Sequence, residues 1–256
     1  MLLTSPNQNV IDLLPPVADG AVGLPRATWE LTVKSASDVI LASVLAVVTL
    51  PVMLLAMALV KLTSRGPAIY SQTRVGLGGK PFTIYKVRTM HVDCERLSGP
   101  VWSSGRDPRV FPVGRVLRVT HLDELPQLWN VLRGEMSLVG PRPERPEFVA
   151  ELEKAVPGYR RRVFVRPGVT GLAQIHLGPD TDHTSVRRKL MYDLYYMESL
   201  GGWLDLRIIL CTGFSVVGIP FEWARVVLRI PSKSLIASSF KCESGAGGSA
   251  SLPSPS

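Results

Sequence analysis

The longest apolar stretch runs from Val39 to Val60, VILASVLAVVTLPVMLLAMALV, without a charge between Asp38 and Lys61. As a straight helix rising about 1.5 Å per residue it would be roughly 33 Å long, the thickness of a hydrocarbon core. Pro51 falls just past its middle, removes one backbone donor and crowds the carbonyl four residues earlier, so a kink is expected there. A sharp kink returns the chain to the side it entered and a gentle one lets it cross; Pro51 alone does not choose. Thr49 stands ready to offer its hydroxyl to a freed carbonyl. A cleaved signal peptide is disfavoured, because the run begins late, is long for such a segment and lacks a small-residue exit before Lys61.

Beyond Lys61 the pattern changes. Ala68 to Arg74 and Pro81 to Arg88 read as two short strands around the Gly76, Gly78, Gly79 cluster, which matches no phosphate-loop spacing and so predicts a hairpin turn. From Leu122, apolar residues at 122, 125, 128, 129 and 132 predict one helical face, with Gly134 as its stop. Ser185 to Leu200 predicts an amphipathic helix with Tyr192, Tyr195 and Tyr196 as packing residues. Trp203 to Ile230 is apolar but broken by Asp205, Arg207, Pro220, Glu222 and Arg225, a composition suited to helices in a membrane interface. After Ser232 the chain runs out into SGAGGSASLPSPS, too poor in apolar residues to order itself.

The 256 residues hold one domain of ordinary size plus an appendage, and 29 Lys+Arg against 21 Asp+Glu leave a net charge of +8. Of the basic residues only Arg26 and Lys34 precede the apolar run, which puts the main body on the cytoplasmic side. Lys34 and Asp38, four apart, share a helical face near the headgroups, where they pair or hold lipid phosphates. Cys94, Cys211 and Cys242 show no Cys-x-x-Cys spacing, and the four histidines no zinc signature, so disulfide frameworks and zinc catalysis lack residues. Aromatic and basic residues are not interleaved on any nucleic-acid module, which argues against reading the charge as a nucleic-acid footprint.

Asp123 and Glu124 open the helix read from Leu122, with Pro126 in its first turn, and there the helix dipole lowers carboxylate pKa values and holds both groups ionised. Capping acids are the plainer reading of that local pattern. Downstream, Gly140-Pro-Arg142-Pro-Glu-Arg145-Pro presents two guanidinium groups on stiff chain, suited to bidentate phosphate binding, and Arg118 completes a cationic site if the loop folds back.

In order along the chain stand Lys86-Val-Arg88-Thr-Met90, Leu122-Asp-Glu-Leu-Pro-Gln127, Asn130-Val-Leu-Arg-Gly134, Met136-Ser-Leu-Val-Gly-Pro-Arg-Pro143 and Arg166-Pro-Gly-Val-Thr-Gly-Leu-Ala-Gln174. Over roughly residues 31 to 230 the chain closely resembles the bacterial sugar transferases, the monotopic polyprenyl-phosphate phosphoglycosyl transferases, in their minimal form. The resemblance implies an α+β, mainly helical fold with a re-entrant N-terminal membrane helix broken at Pro51, a small β-hairpin, and a helical catalytic domain with interfacial amphipathic helices. It implies a flexible arm over residues 1–30, the membrane helix over 31–63, the catalytic domain over 64–232 and a disordered tail over 233–256.

The implied reaction moves a sugar 1-phosphate from a UDP-sugar to a polyprenyl (undecaprenyl) phosphate at the cytoplasmic membrane face, releases UMP and begins lipid-linked glycan or exopolysaccharide assembly. Asp123 maps to the family's nucleophile, Glu124 to its Mg²⁺ ligand, and Arg118 and Arg142 to its phosphate binders, with Arg145 beside them. Lys34, Asp38 and Pro51 map to membrane anchoring. Two departures stand out: the family's Lys-Arg-x-x-Asp is Lys34-Ser-Ala-Ser-Asp38 here, and Leu50 replaces the Ser commonly found before the proline. A non-catalytic membrane scaffold is the alternative, against which the intact Arg118, Asp123, Glu124 and Arg142 argue. The sequence is silent on the sugar and leaves a homo-oligomer open.

Overall fold

The computed structural model describes residues 28–92, 94 and 107–245; the expected N-terminal arm, except its last residues, and the tail from 246 onward lie outside the described residues. The described chain is mainly helical with two small sheets. Helix α1, Thr28–Thr63, contains the whole apolar run and continues through Pro51 without a break. The Thr49 hydroxyl donates to Leu45 O at 2.7 Å, so it does not serve Val47 O, the carbonyl that Pro51 leaves without an amide.

Helix α1 touches the body along one face, through Asp38, Ala42, Leu45, Ala46, Ala56, Met57 and Val60. Asp38 and Ala42 are buried at one end, Ala56 and Val60 at the other, while Ile40, Val47, Val48, Leu55 and Leu62 stand exposed. An apolar helix this long and this uncovered has the length and composition to cross a membrane.

Strands β1 (Ile69–Val75) and β2 (Pro81–Val87) form the expected antiparallel hairpin, in register from Ile69 opposite Val87 to Val75 opposite Pro81. Helix α2, Pro112–Val119, follows and packs with Val60, Val87 and Phe111 through Leu117. The helix expected from Leu122 is divided. Leu122–Glu124 is a single 3₁₀ turn that begins after His121 in the left-handed region (φ +56°), and α3 spans only Gln127–Leu132 with Pro126 as its cap. Of the expected face, Leu128 is buried but Trp129 is exposed, and Asn130 takes a buried place instead. Asn130 Nδ2 donates to Thr83 O at 2.7 Å, and its Oδ1 accepts from Tyr85 N at 3.3 Å, fixing α3 against the middle of β2. Gly134 ends the segment at φ +72°, as expected.

Strand β3 (Ser137–Val139) pairs in parallel with β4 (Gly168–Thr170). The chains approach so closely beyond β3 that a Cβ on Gly168 would lie 2.1 Å from Gly140 N. Between these strands lie α4 (Pro146–Ala155) and a 3₁₀ segment, Tyr159–Phe164. After β4 come α5 (Leu172–His176) and α6 (His183–Glu198), whose start is fixed by a capping box in which Ser185 N donates to Asp182 Oδ1 at 2.7 Å. Tyr192 and Tyr196 of α6 are buried among the core residues, as expected of packing aromatics.

Helices α7 (Gly202–Val216) and α8 (Phe221–Val227) bury Leu204, Ile208 and Ala224 while exposing Trp203, Val217, Trp223, Val226 and Val227. One correction concerns the expected tail. Residues Lys233–Gly245 form α9, because Ile236 and Phe240, one helical turn apart, both reach the core.

Candidate active site

The 3₁₀ turn Leu122–Glu124 packs between β2, α2 and α1, and three cations, two of them from well apart in the chain, gather around its two carboxylates. From β2, the Lys86 ammonium reaches Glu124 Oε1 at 2.7 Å. From the segment after β3, Arg142 Nη2 reaches the same oxygen at 2.6 Å. From α2, Arg118 donates through Nε to Thr89 Oγ1 at 2.8 Å and adds its charge to the field at Asp123. The direct cationic contacts thus go to Glu124, and Asp123 feels them through space.

Burial disfavours ionisation of Glu124, but Arg142 and Lys86 outweigh it and hold the carboxyl well below its usual range. Asp123 behaves oppositely. Its burial, at 7% exposed, and the adjacent Glu124 charge raise its pKa above the ordinary value, against the pull of Lys86, Arg142 and Arg118. This corrects the expectation that a helix N-terminus lowers both carboxylates: the pair sits in a separate turn ahead of α3, where desolvation dominates for Asp123. Glu124 draws the Arg142 guanidinium upward, and burial draws Lys86 downward. Arg142 is nonetheless the accessible member, with 40% of its side chain exposed against 17% for Lys86.

The structure therefore brings Asp123, Glu124, Arg118 and Arg142 together. Arg145 is placed differently: its guanidinium lies over the Phe148 ring at 5.6 Å with Glu147 at 3.6 Å, beside Arg74 rather than against the carboxylate pair. Lys34 and Asp38 do pair, at 3.2 Å, but both are turned inward. Lys34 Nζ reaches Asp205 Oδ2 at 2.6 Å, Ser137 Oγ donates to Asp38 Oδ2 at 2.5 Å, and Tyr196 OH donates to Asp205 Oδ1 at 2.7 Å. These contacts dock the start of α1 onto β3, α6 and α7.

Lys86 is the site residue that the sequence reading quoted within a motif but assigned no role. Its signal was the strand alternation that puts it on the face toward the 3₁₀ turn. Its neighbour Arg88 is buried and structural, donating to Pro67 O at 2.6 Å and to Ser64 O at 3.0 Å, which ties the end of α1 to β2.

Among the described residues no group of three or more His, Cys, Asp or Glu side chains converges. Adjacent carboxylates still fit Mg²⁺, which is commonly held by one or two carboxylates and completes its shell with substrate phosphates and water. Glu124 spends Oε1 on Lys86 and Arg142, so Oε2 would be the atom to hold such an ion.

The family model for bacterial sugar transferases matches residues 29–218. Among curated relatives, a UDP-glucose:undecaprenyl-phosphate glucose-1-phosphate transferase of Caulobacter vibrioides is 45% identical over 74% of this chain and 71% of its own length. A UDP-N-acetylgalactosamine-undecaprenyl-phosphate N-acetylgalactosaminephosphotransferase of Aeromonas hydrophila is 41% identical over 70% of this chain, which spans only 42% of that longer protein. The exopolysaccharide production protein PSS of Rhizobium leguminosarum is 39% identical over 72% of this chain and 94% of its own length. With the match covering helix α1 from Trp29 onward, the carboxylate turn and the arginine segment alike, the chain belongs to the bacterial sugar transferase family.

Proposed function

We propose that this chain transfers a sugar 1-phosphate from a UDP-sugar to a polyprenyl phosphate such as undecaprenyl phosphate and releases UMP. The observation that carries the reading is Glu124 bridged by Lys86 and Arg142 beside the buried Asp123, because a carboxylate can approach a diphosphate only where cations offset their repulsion. The names of the relatives supply the substrate classes.

In the first step an Asp123 carboxylate oxygen forms a bond to the sugar-bearing phosphorus, and the bond from that phosphorus to the UMP oxygen breaks. In the second, a phosphate oxygen of the polyprenyl acceptor attacks the phosphosugar-aspartyl intermediate, and the Asp123 carboxylate is released unchanged. Burial raises the basicity of Asp123 and with it its strength as a nucleophile once ionised. Arg142, half-buried and anchored on Glu124, binds the donor phosphates, and Arg118 adds positive charge from the Asp123 side. Mg²⁺ bound by Glu124 and the donor diphosphate would supply further charge neutralisation there.

In this reading helix α1, continuous through Pro51, would bend there to enter the membrane as a re-entrant segment, with α7 and α8 in the interface and the catalytic body on the cytoplasmic face. The exposed Trp203, Trp223, Val226 and Val227 support that placement, since tryptophans and valines facing water have no packing partner. An acceptor phosphate held at the headgroup plane then meets the carboxylate turn, which packs against α1. The product would start an exopolysaccharide or another lipid-linked glycan.

The test is nucleotide release by detergent-solubilised protein with undecaprenyl phosphate, Mg²⁺ and a panel of UDP-sugars. UMP release by the wild type and its loss in Asp123→Asn are expected; UDP as the product would overturn the reading. For topology, a single Cys near residue 10 should be labelled only from the cytoplasmic side. Labelling from outside would replace the re-entrant arrangement with a crossing span.

A further inference from the structure

The segment Gly140–Glu144 carries Arg142 to the carboxylate pair, yet Pro141 and Pro143 have no amide hydrogens with which to fix it. Its carbonyls are held instead. Pro141 O accepts from Gly168 N at 2.9 Å, and Glu144 O accepts from Val75 N at 2.9 Å. The two carbonyls between these are taken by arginine side chains. Arg162 Nη2 donates to Arg142 O at 2.9 Å, and Arg74 Nη1 donates to Pro143 O at 3.2 Å.

Both guanidinium groups are withdrawn from solvent, with side chains 10% and 19% exposed against 40% for Arg142. Both are also committed elsewhere. Arg162 Nε donates to Asp193 Oδ2 at 2.9 Å, its Nη1 to Tyr159 OH at 2.5 Å, and its Cζ lies over the Tyr159 ring, 5.0 Å from the centroid. Arg74 Nη2 donates to Gln72 Oε1 at 2.8 Å, and Glu144 lies 3.7 Å from its Nη1. A single neutral donor would satisfy a carbonyl at lower desolvation cost. Only a guanidinium fork reaches the segment, α6 and the Tyr159 turn at once.

We propose that Arg162 and Arg74 are positioning residues that clamp the Gly140–Glu144 segment from either side and so set where the Arg142 guanidinium meets the donor diphosphate. The inference rests on the reading of Arg142 as a donor-phosphate ligand. The clamp acts through the backbone carbonyls of Arg142 and of Pro143 next to it, and touches no substrate itself. Lysine keeps the charge at either position but cannot keep the fork, so Arg162→Lys and Arg74→Lys isolate geometry from electrostatics.

The experiment measures UMP release from UDP-glucose and UDP-N-acetylgalactosamine, with undecaprenyl phosphate, for Arg162→Lys and Arg74→Lys in wild-type and Arg142→Lys backgrounds. Thermal midpoints and hydrogen exchange are read alongside. Each clamp variant should lose about 10- to 100-fold in kcat/KM, the size expected from a misplacement of about 1 Å. In the Arg142→Lys background the same substitution should cost less than about threefold, because the group being aimed is gone. Wild-type kcat/KM in the clamp variants, or equal losses in both backgrounds, would overturn the proposal in favour of a general scaffold role. Should Arg162→Lys not fold, Tyr159→Phe removes one holder of the fork and should show the same non-additivity. If the wild type releases no nucleotide, the transferase reading fails, and exchange still decides the clamp: faster exchange at Gly168 and Val75, whose amides donate to Pro141 O and Glu144 O, supports it, and unchanged exchange there overturns it.

Discussion

Replacing Lys86 by Met removes one of the two cations on Glu124 Oε1 and leaves a side chain of similar length in a largely enclosed position. The lost contact is a 2.7 Å charge-assisted hydrogen bond, and bonds to charged groups contribute about 1.5–3 kcal/mol. If that charge balance matters equally as the transition state forms, kcat/KM falls by about 10- to 100-fold. A second consequence is specific to Asp123. Lys86 leads the charges that oppose its raised pKa, so removing the ammonium lifts it further. The protonated carboxyl is not a nucleophile, and the acid limb of the pH–rate profile must therefore move to higher pH. The assay is UMP release at limiting UDP-sugar across the acid limb, with the thermal midpoint as a folding control and Lys86→Arg as a charge-keeping partner. An unmoved limb with kcat/KM within about threefold of wild type, or a limb displaced to lower pH, would refute this account of the carboxylate pair.

Gly168→Ala should fail to fold or melt far below wild type in a thermal scan, since its Cβ would lie 2.1 Å from Gly140 N, where backbone on both sides cannot yield. Tyr196→Phe removes hydroxyl contacts to Asp205 Oδ1 at 2.7 Å and Val139 O at 3.0 Å, and the thermal midpoint should fall by an amount equivalent to about 1–3 kcal/mol. Burial, aided by Lys233, pulls His176 down to about 4, so its contribution to stability is complete above its unfolded value and is lost as pH falls from there through the folded one. Thermal midpoints of His176→Phe should accordingly vary less than wild type between about pH 6.5 and pH 4; an identical slope would show that the ring does not carry this dependence.

What the sequence made legible follows the length and regularity of each element. The hairpin was readable because its strands are seven residues each and its turn is rich in glycine. Helix α1 was readable from its charge-free run, and it stays helical on both sides of Pro51, since proline within a helix costs a hydrogen bond without dictating a break. The parallel pair β3–β4 escaped notice: three-residue strands carry no alternation, and the Gly140–Gly168 contact that permits them is a long-range fact. Helix α9 was missed for a compositional reason, since a Ser- and Gly-rich end hid the Ile236 and Phe240 pair. At the site, the ordered motifs held Asp123, Glu124 and Arg142, the resemblance added Arg118, and the structure gathers these four. It was less kind to Arg145, which shares its segment with Arg142 but points to Phe148. Lys86 was passed over because a strand lysine ordinarily faces water, and only the fold shows Glu124 waiting opposite it. The dipole argument for Asp123 failed because it assumed one helix where the chain makes a turn and then a shorter helix.

The central claim is that Asp123 becomes covalently bonded to the phosphosugar. It is tested most directly by incubating the purified protein with Mg²⁺ and a reactive UDP-sugar in the absence of lipid acceptor, then measuring the intact mass and mapping the modified peptide. The account predicts one equivalent of UMP released, one added sugar phosphate on the peptide containing Asp123, and its discharge when undecaprenyl phosphate is added. UMP released only once the acceptor is present, with the protein mass unchanged throughout, would contradict it and require direct transfer between the two substrates.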